Sequence, residues 1–368
     1  MSSDIDYIVK NVDEIPSPAL VVYRDLVERN IKTIGSLLDG YDRLRPHIKT
    51  HKMSRVARME MDAGITKFKC ATPKEAALLA ANGATDVMIA YPPIGPQIQR
   101  VVGLKQTHPD VTFRVIGDDE PSLRQLSKEC AASGIELGVL IDMNTGMNRT
   151  GAPPGKPSVA LAKLIDGLEG LRFDGLHAYD GHVSGDGEPR KAKARDAVQL
   201  AVDTRVQIEK AGIECPLVVA SGSKGFDATD EIDGVTEVSP GTWIFWDTGY
   251  GESLAFPFNW AALVVSRVIS TPAQDLITLD AGNKGINPDV PAPHFSAVNL
   301  EGELQFLVRN EEHQLIRIAP GVDRPNVGDV IYLIPKHVCT TVNLYDEAYV
   351  IDGDGNWTET WSVDARGH

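Results

Sequence analysis

The chain has 368 residues, 42% of them hydrophobic, with 51 acidic against 36 basic side chains and a net charge of −15. That length holds one large and one smaller domain with a sizeable core, and the acidity argues against nucleic acid and anionic membrane as partners. Cys70, Cys130, Cys215 and Cys339 are widely spaced and show no paired framework, which points to a reducing cytosol. No apolar run approaches a membrane span, and the acidic start Met1-Ser2-Ser3-Asp4-Ile5-Asp6 lacks a signal peptide's basic and apolar regions.

Residues 1–16 read as a short helix or arm. Pro16-Ser17-Pro18 then leads into a strand at 19–23 and a helix beginning near Asp25. Strand-like runs follow at 45–49, 67–71, 86–91, 111–116, 137–142, 173–179, 216–221 and 236–239. Helical patterns separate them, as at 74–82, 121–133, 158–168 and 190–211. Gly83, Gly134, Gly170 and Gly212 follow these within two residues, where a C-terminal cap sits. Eight strands alternating with helices over roughly 200 residues predict a (β/α)8 TIM barrel, with a doubly wound open sheet as the alternative. The barrel is preferred because Lys49, Asp142 with Arg149, His177 with Tyr179, and Ser221 all fall at or just past strand C-termini, where barrel active sites are built.

Past residue 250 the texture changes. Runs at 264–270, 276–280, 304–308, 314–318 and 329–335 are strands separated by turns, without long helices. They predict a C-terminal all-β domain. The expected division is therefore a barrel over 1–250 and a β-domain over 251–368, with the strand at 19–23 free to join the second.

The stretch Arg45-Pro46-His47-Ile48-Lys49-Thr50-His51-Lys52 carries the first chemical signal. With a strand's period of two, Arg45, His47, Lys49 and His51 share one polar face, which suits a wall of a site. Neighbouring cations and burial turn a lysine into a nucleophile that forms Schiff bases. A basic edge strand with solvated lysines gives the same pattern, so these eight residues leave both readings open. Ser221-Gly222-Ser223-Lys224-Gly225 and Pro240-Gly241-Thr242 follow the last two barrel strands, where barrels often hold a phosphate. Arg149 follows strand five in a glycine-punctuated loop and can meet an anionic oxygen or a helix carboxylate. His337 and Cys339 stand two apart and, on a strand, point the same way. Imidazole with thiolate suits Zn²⁺, although a packed cysteine and a satisfied histidine read the same.

Five segments together resemble the D-threonine aldolase and D-serine dehydratase family, pyridoxal 5′-phosphate enzymes of the alanine racemase fold. They are residues 45–52, 145–151 (Thr-Gly-Met-Asn-Arg-Thr-Gly), 177–182 (His-Ala-Tyr-Asp-Gly-His), 238–247 (Val-Ser-Pro-Gly-Thr-Trp-Ile-Phe-Trp-Asp) and 337–343 (His-Val-Cys-Thr-Thr-Val-Asn). The resemblance implies that Lys49 carries the cofactor, with His47 and His177 close by. It implies that Arg149 meets the cofactor's phenolic oxygen, that Tyr179 lies near its ring, and that Ser221, Gly222, Ser223, Gly241 and Thr242 hold its phosphate. His337 and Cys339 would bind a divalent metal, zinc first and manganese or magnesium as alternatives, and His182 would be a base. The implied activity is a lyase on D-β-hydroxy amino acids, by retro-aldol cleavage or, as the alternative, by dehydration. The implied setting is a cytoplasmic homodimer. An amino acid racemase and a pyridoxal-phosphate homeostasis protein are the rivals; the first gives His337 and Cys339 no role, and the second usually lacks a β-domain.

Overall fold

In a computed structural model describing residues 5–300 and 302–368, the chain divides into two units. Residues 34–49 and 57–241 form one; the other takes the described residues up to 33, then 50–56 and 242–367.

Seven strands of the first unit pair in sequence order and all in parallel: Lys67–Cys70, Asp86–Ile89, Thr112–Gly117, Leu137–Asp142, Leu171–Ala178, Leu217–Ala220 and Glu237–Val238. The strand expected at 45–49 does not form. Residues 43–47 are an irregular segment that bridges both neighbours, Leu44 to Val238 and His47 to Lys69. Arg45 N and His47 N donate to Val238 O and Pro240 O, and Lys69 N donates to Pro46 O. The segment thus fills the eighth place and closes the barrel. Pro46 has no N–H to give a ladder, and Ile48–Thr50 then winds into a 3-10 turn. The shared polar face of Arg45, His47, Lys49 and His51 is therefore corrected. Arg45 and His51 are fully buried, whereas Lys49 is half-buried.

Arg45 belongs instead to an ion network across the strand starts. Its guanidinium meets Glu237 at 2.6 Å and Asp86 at 2.7 Å. Arg114 links Asp86 to Asp174, at 2.6 Å from each, and Arg172 continues to Asp174 at 2.6 Å. Above this polar layer Met88, Ile116, Leu140 and Val219 form an apolar cluster, where truncating a large residue to alanine costs about 2–5 kcal/mol.

The helices between strands start on local signals. Thr72 accepts from Glu75 N ahead of Pro73–Ala81, and Asp119 accepts from Ser122 N ahead of Glu120–Ala132, each cap contributing about 1 kcal/mol. Gly83, Gly134 and Gly212 follow helices with positive φ, as expected. The helix expected to run to Leu168 ends earlier, at Asp166, and Gly167 is its cap. Gly170 sits in the turn that follows.

The second unit is built on a mixed sheet. The strand Ala19–Tyr23 pairs antiparallel with Ala262–Ala273 and parallel with Glu347–Ile351, so the N-terminal strand lies among C-terminal ones. The strands Glu347–Ile351 and Trp357–Ser362, which pair with each other, lie beyond the runs expected from the sequence. Val264, Ile277, Leu279, Phe295, Ile316 and Leu333 centre its core. Of the short helix or arm expected over 1–16, the described residues form an arm with one 3-10 turn at Val12–Glu14. Among the described residues, no helix is long and apolar enough to cross a membrane.

Candidate active site

In the barrel unit the Nζ of Lys49 lies 5.9 Å from the centre of the Tyr179 ring. Arg149 and Lys69 face the same ring, at 5.1 and 6.0 Å. Two amines and a guanidinium within about 6 Å of one ring centre are at cation–π distance. They also concentrate positive charge where an anionic ligand would sit. His47 is buried, and its Nδ1 accepts from Lys49 N at 3.3 Å, which orients the turn.

His177 sits on the end of its strand, with Nδ1 2.7 Å from Asp142 Oδ1 and Nε2 3.5 Å from Lys69 Nζ. Burial lowers its pKa, outweighing the Asp142 carboxylate, and Lys69 adds to the lowering. A neutral ring that donates from Nδ1 to the carboxylate presents Nε2 as an acceptor, so Lys69 donates to it. Burial, then the charge of Lys49, brings the Lys69 pKa down to about 7. Lys69 is not among the residues expected in the site. On the strand 67–70, period two puts Lys67 and Lys69 on one face, the same signal used at 45–51, so it was there to be read.

The loop after Leu217–Ala220 is tightly seated. Ser221 and Ser223 are buried. Ser221 shares a 2.8 Å hydrogen bond with Thr229, and Ser223 Oγ accepts from Gly241 N at 3.2 Å. Gly222 N donates to Asp180 Oδ1 at 2.8 Å. A Cβ on Gly222 would lie 2.8 Å from the Tyr179 ring, and one on Gly225 would lie 1.7 Å from Asp180 Oδ2. That Oδ2 is buried without a hydrogen-bond partner among the described residues. Asp180, which the sequence reading passed over, therefore anchors the loop. His182 is exposed and stands over the 145–151 loop: a Cβ on Gly146 would lie 2.9 Å from its Nε2.

The second unit holds the other candidates. His337 and Cys339 were expected on a strand, but Val330–Pro335 ends before them. His337 caps the short helix Val338–Val342, and Cys339 lies in its first turn. Their side chains still hydrogen-bond each other. Burial alone would lower the His337 pKa, but Cys339, Asp289 and Asp247 raise it to about 9. Asp289 Oδ2 is 2.6 Å from His337 Nδ1, and nothing in the spacing of the sequence marked it. Thr50 and Thr242 hydroxyls lie 3.1 and 3.7 Å from Cys339 Sγ. Thr242, expected at a phosphate, also faces this sulfur. Among the described residues no group of three or more His, Cys, Asp or Glu is poised around a metal position.

A parallel barrel with a reachable lysine beside an aromatic ring, carried with a mixed β-unit, defines the class of alanine racemase-like proteins. Residues 22–248 match the family described as alanine racemase, N-terminal domain, and residues 261–351 match the putative serine dehydratase domain. A D-threonine aldolase from Arthrobacter sp is 30% identical, covering 96% of this chain and 93% of its own. A D-threo-3-hydroxyaspartate dehydratase from Delftia sp. (strain HT23) is 25% identical over 94% of this chain and 97% of its own. The crystal structure of D-threonine aldolase from Filomicrobium marinum matches with a TM-score of 0.89 at 29% identity, covering 100% of this chain and 99% of that one. The chain belongs to the D-threonine aldolase and D-serine dehydratase-like family, which makes it a lyase with the alanine racemase fold.

The family implies pyridoxal 5′-phosphate, and the barrel residues fit it. There is one half-buried amine, a ring flanked by cationic groups, and a loop that carries the buried hydroxyls of Ser221 and Ser223. His337 and Cys339 fit two ligand positions of a divalent metal, with Asp289 on the imidazole's other side as ligand histidines commonly have.

Proposed function

We propose that the protein is a metal-assisted lyase acting on D-configured β-hydroxy amino acids, by retro-aldol cleavage to glycine and an aldehyde. The observation that carries the reading is the contact of Cys339 Sγ with the Thr50 hydroxyl at 3.1 Å, Thr50 being the residue directly after Lys49. A lysine that binds the cofactor and a soft-ligand pair are thereby joined through one peptide link. A racemase gives that pair nothing to do. The 30% identity to the Arthrobacter aldolase over 96% of the chain adds support.

In this reading Lys49 Nζ holds the cofactor, Arg149 meets its phenolic oxygen, Tyr179 lines its ring, and Ser221, Gly222, Ser223, Gly241 and Thr242 hold its phosphate. The cofactor, when bound, supplies an electron sink for the carbanion at Cα. His337 and Cys339 would hold a divalent ion, zinc on the softness of the pair, whose charge favours ionisation of the β-hydroxyl. His182 accepts the hydroxyl proton as the Cα–Cβ bond breaks. His177, neutral and fixed by Asp142, stands beside Lys69.

Dehydration to a keto acid and ammonia is the second reading. The Delftia dehydratase, at 25% identity over 94% of the chain, favours keeping it. Product analysis with a panel of D-β-hydroxy amino acids separates the two: glycine with an aldehyde supports the aldolase, and ammonia with a keto acid replaces it by the dehydratase.

A further inference from the structure

Lys49 is not the only amine in the barrel pocket. Lys69 Nζ faces the same Tyr179 ring at 6.0 Å, against 5.9 Å for Lys49, and is itself 2% exposed. It ends a buried series that crosses three barrel strands: Asp142 Oδ1 to His177 Nδ1 at 2.7 Å, then His177 Nε2 to Lys69 Nζ at 3.5 Å. A carboxylate behind a neutral imidazole favours positive charge on whatever donates to that imidazole's far nitrogen. No step described above uses this amine.

We propose that Lys69 is the proton acceptor for Lys49, taking a proton from Lys49 Nζ when that amine attacks the carbonyl of pyridoxal 5′-phosphate and returning it to the departing oxygen. The inference rests on the reading of Lys49 as the cofactor-binding lysine. A lysine ammonium has no lone pair, so it must shed a proton before it can attack. In the step, an N–H bond of Lys49 breaks and an N–H bond of Lys69 forms. The Lys49 nitrogen then bonds to the carbonyl carbon. A second Lys49 N–H proton passes to the oxygen, Lys69 gives its extra proton to the same oxygen, and the C–O bond breaks as water leaves. Lys69 ends as it began, and no outside acid or base is consumed.

The surroundings suit a group that holds a proton only briefly. Burial, then the Lys49 charge, then Arg45, act to lower the Lys69 pKa, while Asp180 and Asp142 act to raise it, the balance falling at about 7. A charge on Lys49 thus discourages one on Lys69. As Lys49 gives up its proton, that opposition vanishes and the acceptor strengthens. The charged and titratable groups facing Lys69 are Lys49 and Arg45 from the 45–50 segment, Asp142 from its strand, and His177, Tyr179 and Asp180 from the end of Leu171–Ala178 and the turn after it.

The test follows capture of added pyridoxal 5′-phosphate by the full chain freed of cofactor, reading the rise of the visible band against pH. Wild type is compared with Lys69→Met and with Lys69→Gln, whose amide keeps N–H donors but accepts no proton. Thermal unfolding checks that each is folded. Capture by both variants should be about 100-fold slower at neutral pH, the scale of general-base assistance, with the deficit closing as pH rises. A wild-type profile in either variant, or a deficit that is the same at every pH, overturns the proposal, because a merely structural lysine would slow capture uniformly. Wild-type protein that takes up no cofactor at Lys49 removes the functional reading itself, and this inference with it.

Discussion

Asp289 Oδ2 lies 2.6 Å from Nδ1 of His337, 48 residues further along the chain, and Asp289 Oδ1 accepts from Thr340 at 3.1 Å. The carboxylate is thus braced on the helix that carries Cys339, and it leaves the other imidazole nitrogen for a metal. Asp289→Ala should lower affinity for added zinc by about 10–100-fold, the usual loss when such a partner goes. Competition titration of metal-free protein against a chromophoric chelator measures it. Unchanged affinity would take Asp289 out of the site.

The barrel floor makes a prediction about stability. Arg45 and Glu237 are both buried, and Arg45 Nε is 2.6 Å from Glu237 Oε2. Removing one partner of a buried pair costs about 3–5 kcal/mol, because the other charge stays buried alone. Glu237→Gln should therefore lower the denaturant midpoint sharply at neutral pH. Burial opposes ionisation of Glu237 and Asp86, but the Arg45 charge, seconded by Lys67 at Glu237 and Arg114 at Asp86, holds both carboxyls below their usual range. Their folded pKa values lie under the unfolded ones. The stabilisation is thus complete above the unfolded carboxylate range and is lost as pH falls through the folded values. Acid titration should destabilise wild type below about pH 4 more steeply than Glu237→Gln. Equal slopes would refute the account.

The barrel was legible in the sequence because parallel strands such as Leu137–Asp142, where all six residues are buried, are short and largely apolar, and because caps such as Thr72 mark the helices. The segment at 43–47 misled for a physical reason. Its alternation is that of a strand, but Pro46 interrupts the ladder, and Arg45 turns toward carboxylates that lie 41 and 192 residues away. Asp289 and Asp180 are not marked in the sequence because their importance is set by partners distant in it. His337 and Cys339 illustrate the converse: their spacing was informative although the backbone assumed for it, a strand, is a helix cap and first turn.

Lys49 should be the residue that borohydride fixes to pyridoxal 5′-phosphate. It is half-buried, whereas Lys52 and Lys69 are buried. Peptide mapping of the reduced protein should find the label there, and Lys49→Ala should lose the visible band. Label on Lys52, Lys69 or Lys224 would overturn the assignment.

The loop at 221–225 gives a test that separates phosphate binding from attachment at Lys49. Gly225 has no room for a side chain: a Cβ there would come within 1.7 Å of Asp180 Oδ2 and 3.0 Å of Ala194 Cβ. Asp180 is fully buried, and its Oδ1 holds Gly222 N at 2.8 Å. Gly225→Ala must therefore displace Asp180 or the loop, and with it the backbone next to Ser221 and Ser223. Neither Lys49 nor Tyr179 lies in that loop, so the amine stays available. Affinity is measured for pyridoxal 5′-phosphate and for pyridoxal, which lacks the phosphate. Wild type should prefer the phosphorylated compound strongly. In Gly225→Ala the preference should shrink about 10–100-fold, matching the loss of one hydrogen bond to a charged group at about 1.5–3 kcal/mol. Binding of pyridoxal should change little. Equal weakening of both compounds would mean that the substitution damages the whole pocket, and an unaltered preference would place the phosphate elsewhere in the barrel.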